Sequence, residues 1–591
     1  MLHLNNEQLR AVRHVDGPML VLAGPGSGKT AVLTQRVNYL ISTANIKADS
    51  VLVLTFSNKA ALEMQHRFNS IAGTKPVTFG TFHSVFFHVL KQYKNYDKDS
   101  IITPARKAAV IRDIGIKLGI KENIDMRWCK ETLERISSYQ NTSLMPKYLT
   151  DDELHSFPAL YNEYKRRLKN EGLIDFDDMI YECLDLLINN PCILNNIRDR
   201  YRYILVDEFQ DCNMGQYELL KLIAADGNNI FAVGDDDQSI YGFRGAEAGI
   251  VLKFMQDFPN CAYIELIRNY RCSQNIIDAS YSLINHNHIR KTKTRQLASK
   301  FRGKGEVCLI KTLDAYSEAQ EVYDIIENVL ARGVKPSEIT ILYRTDTASD
   351  YLQEYLQNKK INSNKSGTRG LGEKEYVKDI SAYLRISQGG KEAADFLRIL
   401  NKPERCLVRE CIGKDFTNRE KIRSYYHDDT YLLSVVDELF NDLDFISNLS
   451  SFAAINYLWK KVGLGIYFGG KEIPDEIKEY SLLHSSIRDF LTSLKADDEN
   501  ERKITNNDKE EQIILQTIHA SKGLEYDTVI IIGLQEGILP HNRARSEEET
   551  EEERRLMYVA MTRAINRLYI IARGKENYGK KYSRFIDEIF N

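Results

Sequence analysis

The stretch AGPGSGKT, Ala23 to Thr30, follows the short apolar run Met19 to Leu22 and leads into a helical pattern from Ala31 to Leu40. Strand, glycine-rich loop and helix start stand in the order that phosphate binding requires. Gly24, Gly26 and Gly28 permit a backbone path that aims N–H groups at phosphate oxygens, and the helix adds its positive end. Ala23, Gly24, Pro25, Gly26, Ser27, Gly28, Lys29 and Thr30 are therefore the candidate ATP cradle. Lys29 reaches the outer phosphates, and the Thr30 hydroxyl is suited to ligate Mg²⁺. A plain glycine turn would match so loose a pattern by chance in roughly one chain of this length in twenty. Phosphoryl transfer also needs carboxylates at a strand end, and ILVDEFQD, Ile204 to Asp211, supplies them. Asp207 can hold Mg²⁺ through water, and Glu208 can polarise the attacking water as general base. A lone Asp-Glu pair is more often a solvated turn; the phosphate loop tips the reading.

Outward from this loop, β-branched runs followed by helical patterns recur at Met19 to Leu22, Val51 to Phe56, Tyr203 to Val206 and Ile230 to Val233. A second set falls at Cys261 to Leu266, Ile339 to Tyr343, Thr528 to Ile532 and Leu568 to Ala572. This rhythm predicts an α/β chain with two parallel-sheet cores. Helical patterns dominate elsewhere, which predicts a helical domain inserted in each core. The expected division is 1–88 and 173–258 for the first core, 89–172 for its insertion, 259–375 and 511–591 for the second core, and 376–510 for its insertion. The charge-rich stretch Ala496 to Glu511 reads as a linker back to the second core.

The chain has 591 residues, enough for about four compact units. With 43% hydrophobic and 28% charged residues, it is neither disordered nor fibrous. Lys plus Arg is 80 against Asp plus Glu at 83, so bulk charge gives no argument for a polyanionic partner and any nucleic-acid surface must be local. Nine Cys without zinc spacing indicate reduced thiols and no structural metal. The N-terminus lacks a signal-like apolar core, and no run approaches the length of a membrane span. A cytoplasmic protein, in the bacterial cytosol or nucleoid, is expected.

Further motifs follow in order. They are LNNEQ (Leu4 to Gln8), TFSNKAALEM (Thr55 to Met64), TFGTFHS (Thr78 to Ser84), GDDDQSIYGFRGA (Gly234 to Ala246), RNYRC (Arg268 to Cys272), QTIHASKGLEYDTVII (Gln516 to Ile531) and EEERRLMYVAMTRA (Glu551 to Ala564). In these, with AGPGSGKT and ILVDEFQD, the chain resembles the UvrD/Rep/PcrA group of superfamily 1 DNA helicases. The resemblance implies two RecA-like P-loop cores, each with an inserted mainly helical domain. It implies that Gln8 reads the adenine edge, that Tyr270 lies against adenine, and that Glu525 meets the ribose. Gln238 would touch the γ-phosphate, and Arg271 and Arg563 would be two arginine fingers from the second core. Phe56, Asn58, His83, Tyr241, Phe243 and Arg244 would contact single-stranded DNA, with His519 facing the strand or the coupling motif. Three positions depart from the group's pattern. Ala31 stands where an arginine often sandwiches adenine, Phe243 where a tryptophan is common, and Gly372 near a position that tends to be aromatic.

The implied activity is ATP-dependent 3′ to 5′ unwinding or translocation, with ATP and Mg²⁺ as cofactors and single-stranded DNA and ss/dsDNA junctions as partners. A translocase that displaces proteins, and unwinds only with a partner or as a dimer, stays open beside it. So do a repair, replication or defence partner and a monomeric or weakly dimeric state. A nucleotide-dependent switch with little turnover is disfavoured by Glu208, Gln238, Arg271 and Arg563. His286 to Lys304 is basic and is a candidate for phosphate contacts. Tyr578 or Tyr582 is a candidate strand-separating wedge. The chain's length after Ala564 leaves no room for a nuclease domain.

Overall fold

The computed structural model describes residues 4–590 apart from 121–123, 125, 143–150, 225, 226, 228, 243, 244, 248, 292, 293, 300–302, 346, 347, 366–371, 373, 404, 406, 409, 410, 412–417, 469–472, 483, 504–511, 543 and 575–580. Two six-stranded sheets, parallel throughout, organise the chain as two RecA-like cores. The first consists of β1 (Met19–Ala23), β2 (Val51–Thr55), β3 (Thr78–Thr81), β4 (Tyr203–Val206), β5 (Ile230–Gly234) and β6 (Ala262–Leu266), in the order β3-β2-β4-β5-β1-β6. All five residues of β1, β2 and β5 are buried, as parallel strands covered on both faces must be. Alternation sorts them: Leu20, Leu22, Leu52 and Leu54 enter one core, and Met19, Val21, Val51 and Val53 the other. Because the strands are parallel, the segments leaving the carboxyl ends of β1, β5, β4 and β2 emerge along one edge. That edge carries the phosphate loop, the 235–238 segment, the Asp207-Glu208 pair and Phe56.

Two short strands, β7 (Arg268–Asn269) and β8 (Leu297–Ala298), pair with each other. The second sheet comprises β9 (Glu306–Thr312), β10 (Ile339–Tyr343), β11 (Ser363–Lys365), β12 (Ile513–Thr517), β13 (Tyr526–Leu534) and β14 (Ala564–Arg573), ordered β11-β12-β10-β13-β14-β9. The run Cys261 to Leu266, expected in the second core, instead supplies β6 of the first sheet. It pairs with β1 from Met19↔Ala262 to Ala23↔Leu266. Periodicity identifies a strand but not its partner.

The chain forms two compact units: Met1–Lys107 with Glu134–Ser366 and Glu510–Asn591, and Ala108–Leu133 with Gly367–Lys509. The first unit holds both sheets, so the four-part division does not follow the compact bodies. The expected boundary at 88/89 also falls inside the helix Phe82–Lys94, where Val85, Phe86, Val89 and Leu90 pack into the first core. The second unit is helical, built around Tyr383, Phe396, Trp459 and Phe490. Within it Asp379 is fully buried and is held by Lys402 at 2.9 Å and Arg398 at 2.5 Å. The expected linker is half helix: Ile487–Lys503 continues through 496–503, anchored upstream by buried Phe490 and Leu494, and 504–511 lie outside the described residues. No described helix is long and apolar enough to cross a membrane.

Candidate active site and nucleic-acid interface

The phosphate loop turns where β1 ends. Gly26 and Gly28 take φ values of 68° and 87°, which disfavour side chains with a Cβ. The Ser27 hydroxyl donates to the Gly24 carbonyl at 2.7 Å, bracing the turn. Gly28 then opens the helix Lys29–Ser42, whose first N–H groups face the loop. Gly24 through Ala31 line a cavity of about 860 Å³ together with Asp207, Glu208, Gln238, Arg271, Glu525 and Arg563. The two cores thus meet at the phosphate loop, and residues more than 500 positions apart share one space.

On the first-core side, Glu208 has φ of 49°, an unusual backbone for a glutamate and one common at functional turns. Its Oε1 lies 3.9 Å from Lys29 Nζ, and its Oε2 accepts from Gln210 Nε2 at 2.5 Å. Burial favours its neutral form, yet Lys29, Lys522, the Gln210 amide and Arg563 together hold its carboxyl below the usual range. Burial and the adjacent Glu208 charge push Asp207 up. Asp207 Oδ1 is buried without a hydrogen-bond partner among the described residues. An orphaned carboxylate oxygen lining the same cavity as a threonine suits a hard divalent cation, so Asp207 and Thr30 are the residues that would hold Mg²⁺.

On the second-core side, Arg563 is 1% exposed, and each nitrogen of its guanidinium makes a hydrogen bond. It donates to the Val559 carbonyl at 2.9 Å, to the Leu524 carbonyl at 3.2 Å and to Gln238 Oε1 at 3.1 Å. Burial, with repulsion from Arg271, pushes its pKa down to about 9, still charged at neutral pH. Gln238 in turn donates to Asp235 at 2.5 Å. Arg271 donates to Glu525 at 2.7 Å and to the Thr562 carbonyl at 3.3 Å, so the implied finger and the implied ribose ligand form an ion pair. Gln8 donates to the Ser27 carbonyl at 2.8 Å and accepts from the Asn5 N–H at 2.9 Å. Its amide thus braces the loop from behind, with one N–H and one lone pair not used by these bonds. Tyr270 accepts from Asn5 Nδ2 at 3.1 Å, and its own N–H donates to the Gly26 carbonyl at 2.8 Å.

Of the implied strand contacts, Phe56 and Tyr241 stack on each other, their centroids 4.7 Å apart at 17°. Asn58 opens the helix Asn58–Ala72 and is exposed. His83 sits half-buried, edge-on to Phe176, and burial lowers its pKa despite Asp177, leaving it neutral near pH 7. His519 lies in a tight turn following β12. Phe243, Arg244 and Tyr578 lie outside the described residues. Tyr582 is half-buried beneath Lys311, whose ammonium lies 5.2 Å from the ring centroid.

Sequence reasoning missed Lys522. Its Nζ donates to Asp211 at 2.6 Å and to the Gln238 carbonyl at 2.8 Å, and it lies 4.9 Å from the Tyr241 ring centroid. One buried cation thus touches the catalytic segment and the aromatic stack together. Its partners sit some 300 residues away in sequence, and spacing offers no sign of them. Two readings are corrected. The basic segment is partly structural: Arg290 is buried against Asp237 at 2.6 Å, and Arg295 pairs with Asp278. The acidic run Glu547 to Glu553, which by itself reads as a helix start favoured at the positive end of the dipole, is more than that, because Glu551 and Glu553 are buried. Glu551 accepts from the His288 N–H at 2.6 Å, and Glu553 forms a fork with Arg344 at 2.8–3.1 Å.

Two parallel P-loop cores closing on one cavity, with arginines supplied across the gap, define a motor-type nucleotide hydrolase. Residues 4–259 match the UvrD/REP helicase N-terminal domain, and residues 264–433 and 470–575 match the UvrD-like helicase C-terminal domain. The chain belongs to the UvrD/Rep/PcrA-like helicases. It is similar to the proteins named ATP-dependent DNA helicase PcrA of Staphylococcus epidermidis strain RP62A and Staphylococcus aureus strain Mu50. It is 32% identical to each over 649 aligned positions, covering 99% of this chain and 86% of theirs.

Proposed function

We propose that this ATP-dependent DNA helicase moves 3′ to 5′ along single-stranded DNA and couples each hydrolysis to closure of its two cores. The observation that carries the reading is the hydrogen bond from Arg563 to Gln238, in the cavity that Lys29 and Glu208 also line. Lys29 holds the outer phosphates, Glu208 orients water, and Arg271 and Arg563 neutralise charge as it develops. Mg²⁺, held by Thr30 and Asp207, supplies further neutralisation when bound. The Phe56–Tyr241 stack receives bases without regard to sequence, since every base presents a π-face. The working place is the cytosol or nucleoid, at single-strand to duplex junctions, and the enzyme acts as a monomer or weak dimer.

The test is steady-state ATP hydrolysis with and without single-stranded DNA, alongside unwinding of duplexes with a 3′ or a 5′ tail. Stimulated hydrolysis with preference for the 3′ tail is expected; preference for the 5′ tail would reverse the polarity. Stimulated hydrolysis without unwinding would favour a protein-displacing translocase. Lys29→Ala should weaken nucleotide binding and turnover together, because the ammonium meets phosphate in ground and transition states alike. Unchanged nucleotide affinity in equilibrium titration would remove Lys29 from the cradle. Tyr241→Ala should weaken single-strand binding about 5- to 150-fold, the equivalent of roughly 1–3 kcal/mol of stacking. Fluorescence anisotropy with a labelled oligonucleotide measures it, and affinity within twofold of the parent would exclude the platform.

A further inference from the structure

The helix Glu547–Met561 begins with an Asp/Glu-rich turn capped by Ser546 and ends next to Arg563. Three successive carboxylates near its start take three different partners. Glu551 holds the 288–289 backbone and Arg555, Glu553 holds Arg344 and the His541 N–H, and Glu552 accepts from the Gly242 N–H at 3.0 Å. Only the third reaches the aromatic-bearing loop of the first core. The approach is close: a Cβ on Gly242 would lie 2.6 Å from Glu552 Oε2 and 2.9 Å from Oε1.

The segment Gln238 to Gly242 is thereby tied at one end to this helix, by Glu552 at Gly242, and at the other to the turn that directly follows it, by Arg563 at Gln238. Glu552 and Arg563 stand about 16 Å apart at ~1.5 Å per helical residue. Four extended residues span at most about 14 Å, and side-chain reach supplies the remainder. Tyr241, stacked on Phe56, lies between the ties. The far side of the loop is anchored to the first core: Ala246 bridges Asn213, and Gly245 packs against Asn141. A base that displaced Tyr241 would therefore pull on this helix and on the turn after it that carries Arg563.

We propose that Glu552 is a positioning residue that links occupancy of the Phe56–Tyr241 stack to the placement of Arg563. The inference rests on the proposed reading of that stack as the DNA platform. Glu552 does not line the phosphate-loop cavity; it acts through the Gly242 N–H. Hydrolysis gains from DNA only while this tie holds.

The experiment measures the ratio of kcat with saturating oligonucleotide to kcat without it. Glu552→Ala should lower this ratio about tenfold or more, within the usual range for coupling between sites, with the KM for ATP within about threefold of the parent. Glu552→Gln should retain most of the ratio, because an amide oxygen still accepts from Gly242, whereas a generic packing defect would lower both rates without rescue by glutamine. Gly242→Ala should also lose coupling, and should lose less in a Glu552→Ala background, where the collision with the carboxylate is gone. This cycle decides the matter even if one single variant folds poorly. Retention of the ratio within twofold in Glu552→Ala, or strict additivity of the two substitutions, overturns the tie while leaving the platform intact. A parent enzyme whose hydrolysis is not stimulated by DNA overturns the platform itself, and the tie with it.

Discussion

Replacing Arg563 with alanine is expected to lower DNA-stimulated kcat by about 10³ or more, within the range for arginine fingers, while changing ATP affinity far less. Arg563 comes from the second core, yet its guanidinium bonds Gln238 and lines the cavity holding Lys29. Its buried position sharpens the test and complicates it. Truncation leaves Gln238 Oε1 without its donor, at about 1–3 kcal/mol for a buried acceptor left unpaired, whereas the Val559 carbonyl keeps the Thr562 hydroxyl and Leu524 is open to water. A melting curve must accompany the kinetics. Arg563→Lys should restore the charge without the rate, because an ammonium cannot fork between Gln238 and a phosphate oxygen. The measurement is single-turnover hydrolysis at saturating oligonucleotide. A loss below about tenfold, some 1.4 kcal/mol of barrier, would place Arg563 outside the transition-state shell and leave closure of the cores without a chemical purpose.

Glu208→Gln is expected to lower turnover by about 10² to 10⁴, the usual worth of a positioned general base, with nucleotide binding retained. The amide keeps the shape and can accept a hydrogen bond, but it cannot take a proton. The structure adds a reason for its selectivity. Glu208 is held strongly ionised by Lys29 and three further partners, which makes it a poor base while it is paired. If Lys29 turns to the outer phosphates, their charge is expected to offset the ammonium and to raise Glu208's proton affinity. Rapid-quench kinetics measure turnover, and a near-parental rate would refute the assignment.

The phosphate loop and the Asp207-Glu208 turn were readable because each is a contiguous string whose chemistry is local. Strand identity was readable where runs were apolar and β-branched, as at Val51–Thr55 and Ile339–Tyr343. What was not readable depends on long-range pairing. β6 joins β1 through backbone hydrogen bonds that any sequence can make. β3, read only as part of a motif, carries Gly80 and two threonines and so looks like loop. Nothing in the sequence marks Lys522, Arg290 or Glu552, because a side chain paired in the fold and a solvated one have the same letter. Their roles emerge only when Asp211, Asp237 and Gly242 arrive opposite them.

The order in which strands enter the sheets has a consequence for synthesis. The first sheet is complete once β6 leaves the ribosome, with both its phosphate loop and its carboxylates in place. The second sheet starts with β9 to β11, then waits for the whole Gly367–Lys509 segment before β12 to β14 arrive. Arg563 opens off the last of these strands. Even at ~20 residues per second, roughly half a minute separates Lys29 from Arg563. The first sheet, complete at β6, therefore holds its cradle and carboxylates without Arg563 for roughly the later half of that interval, and any hydrolysis that depends on Arg563 is expected only once that residue has emerged.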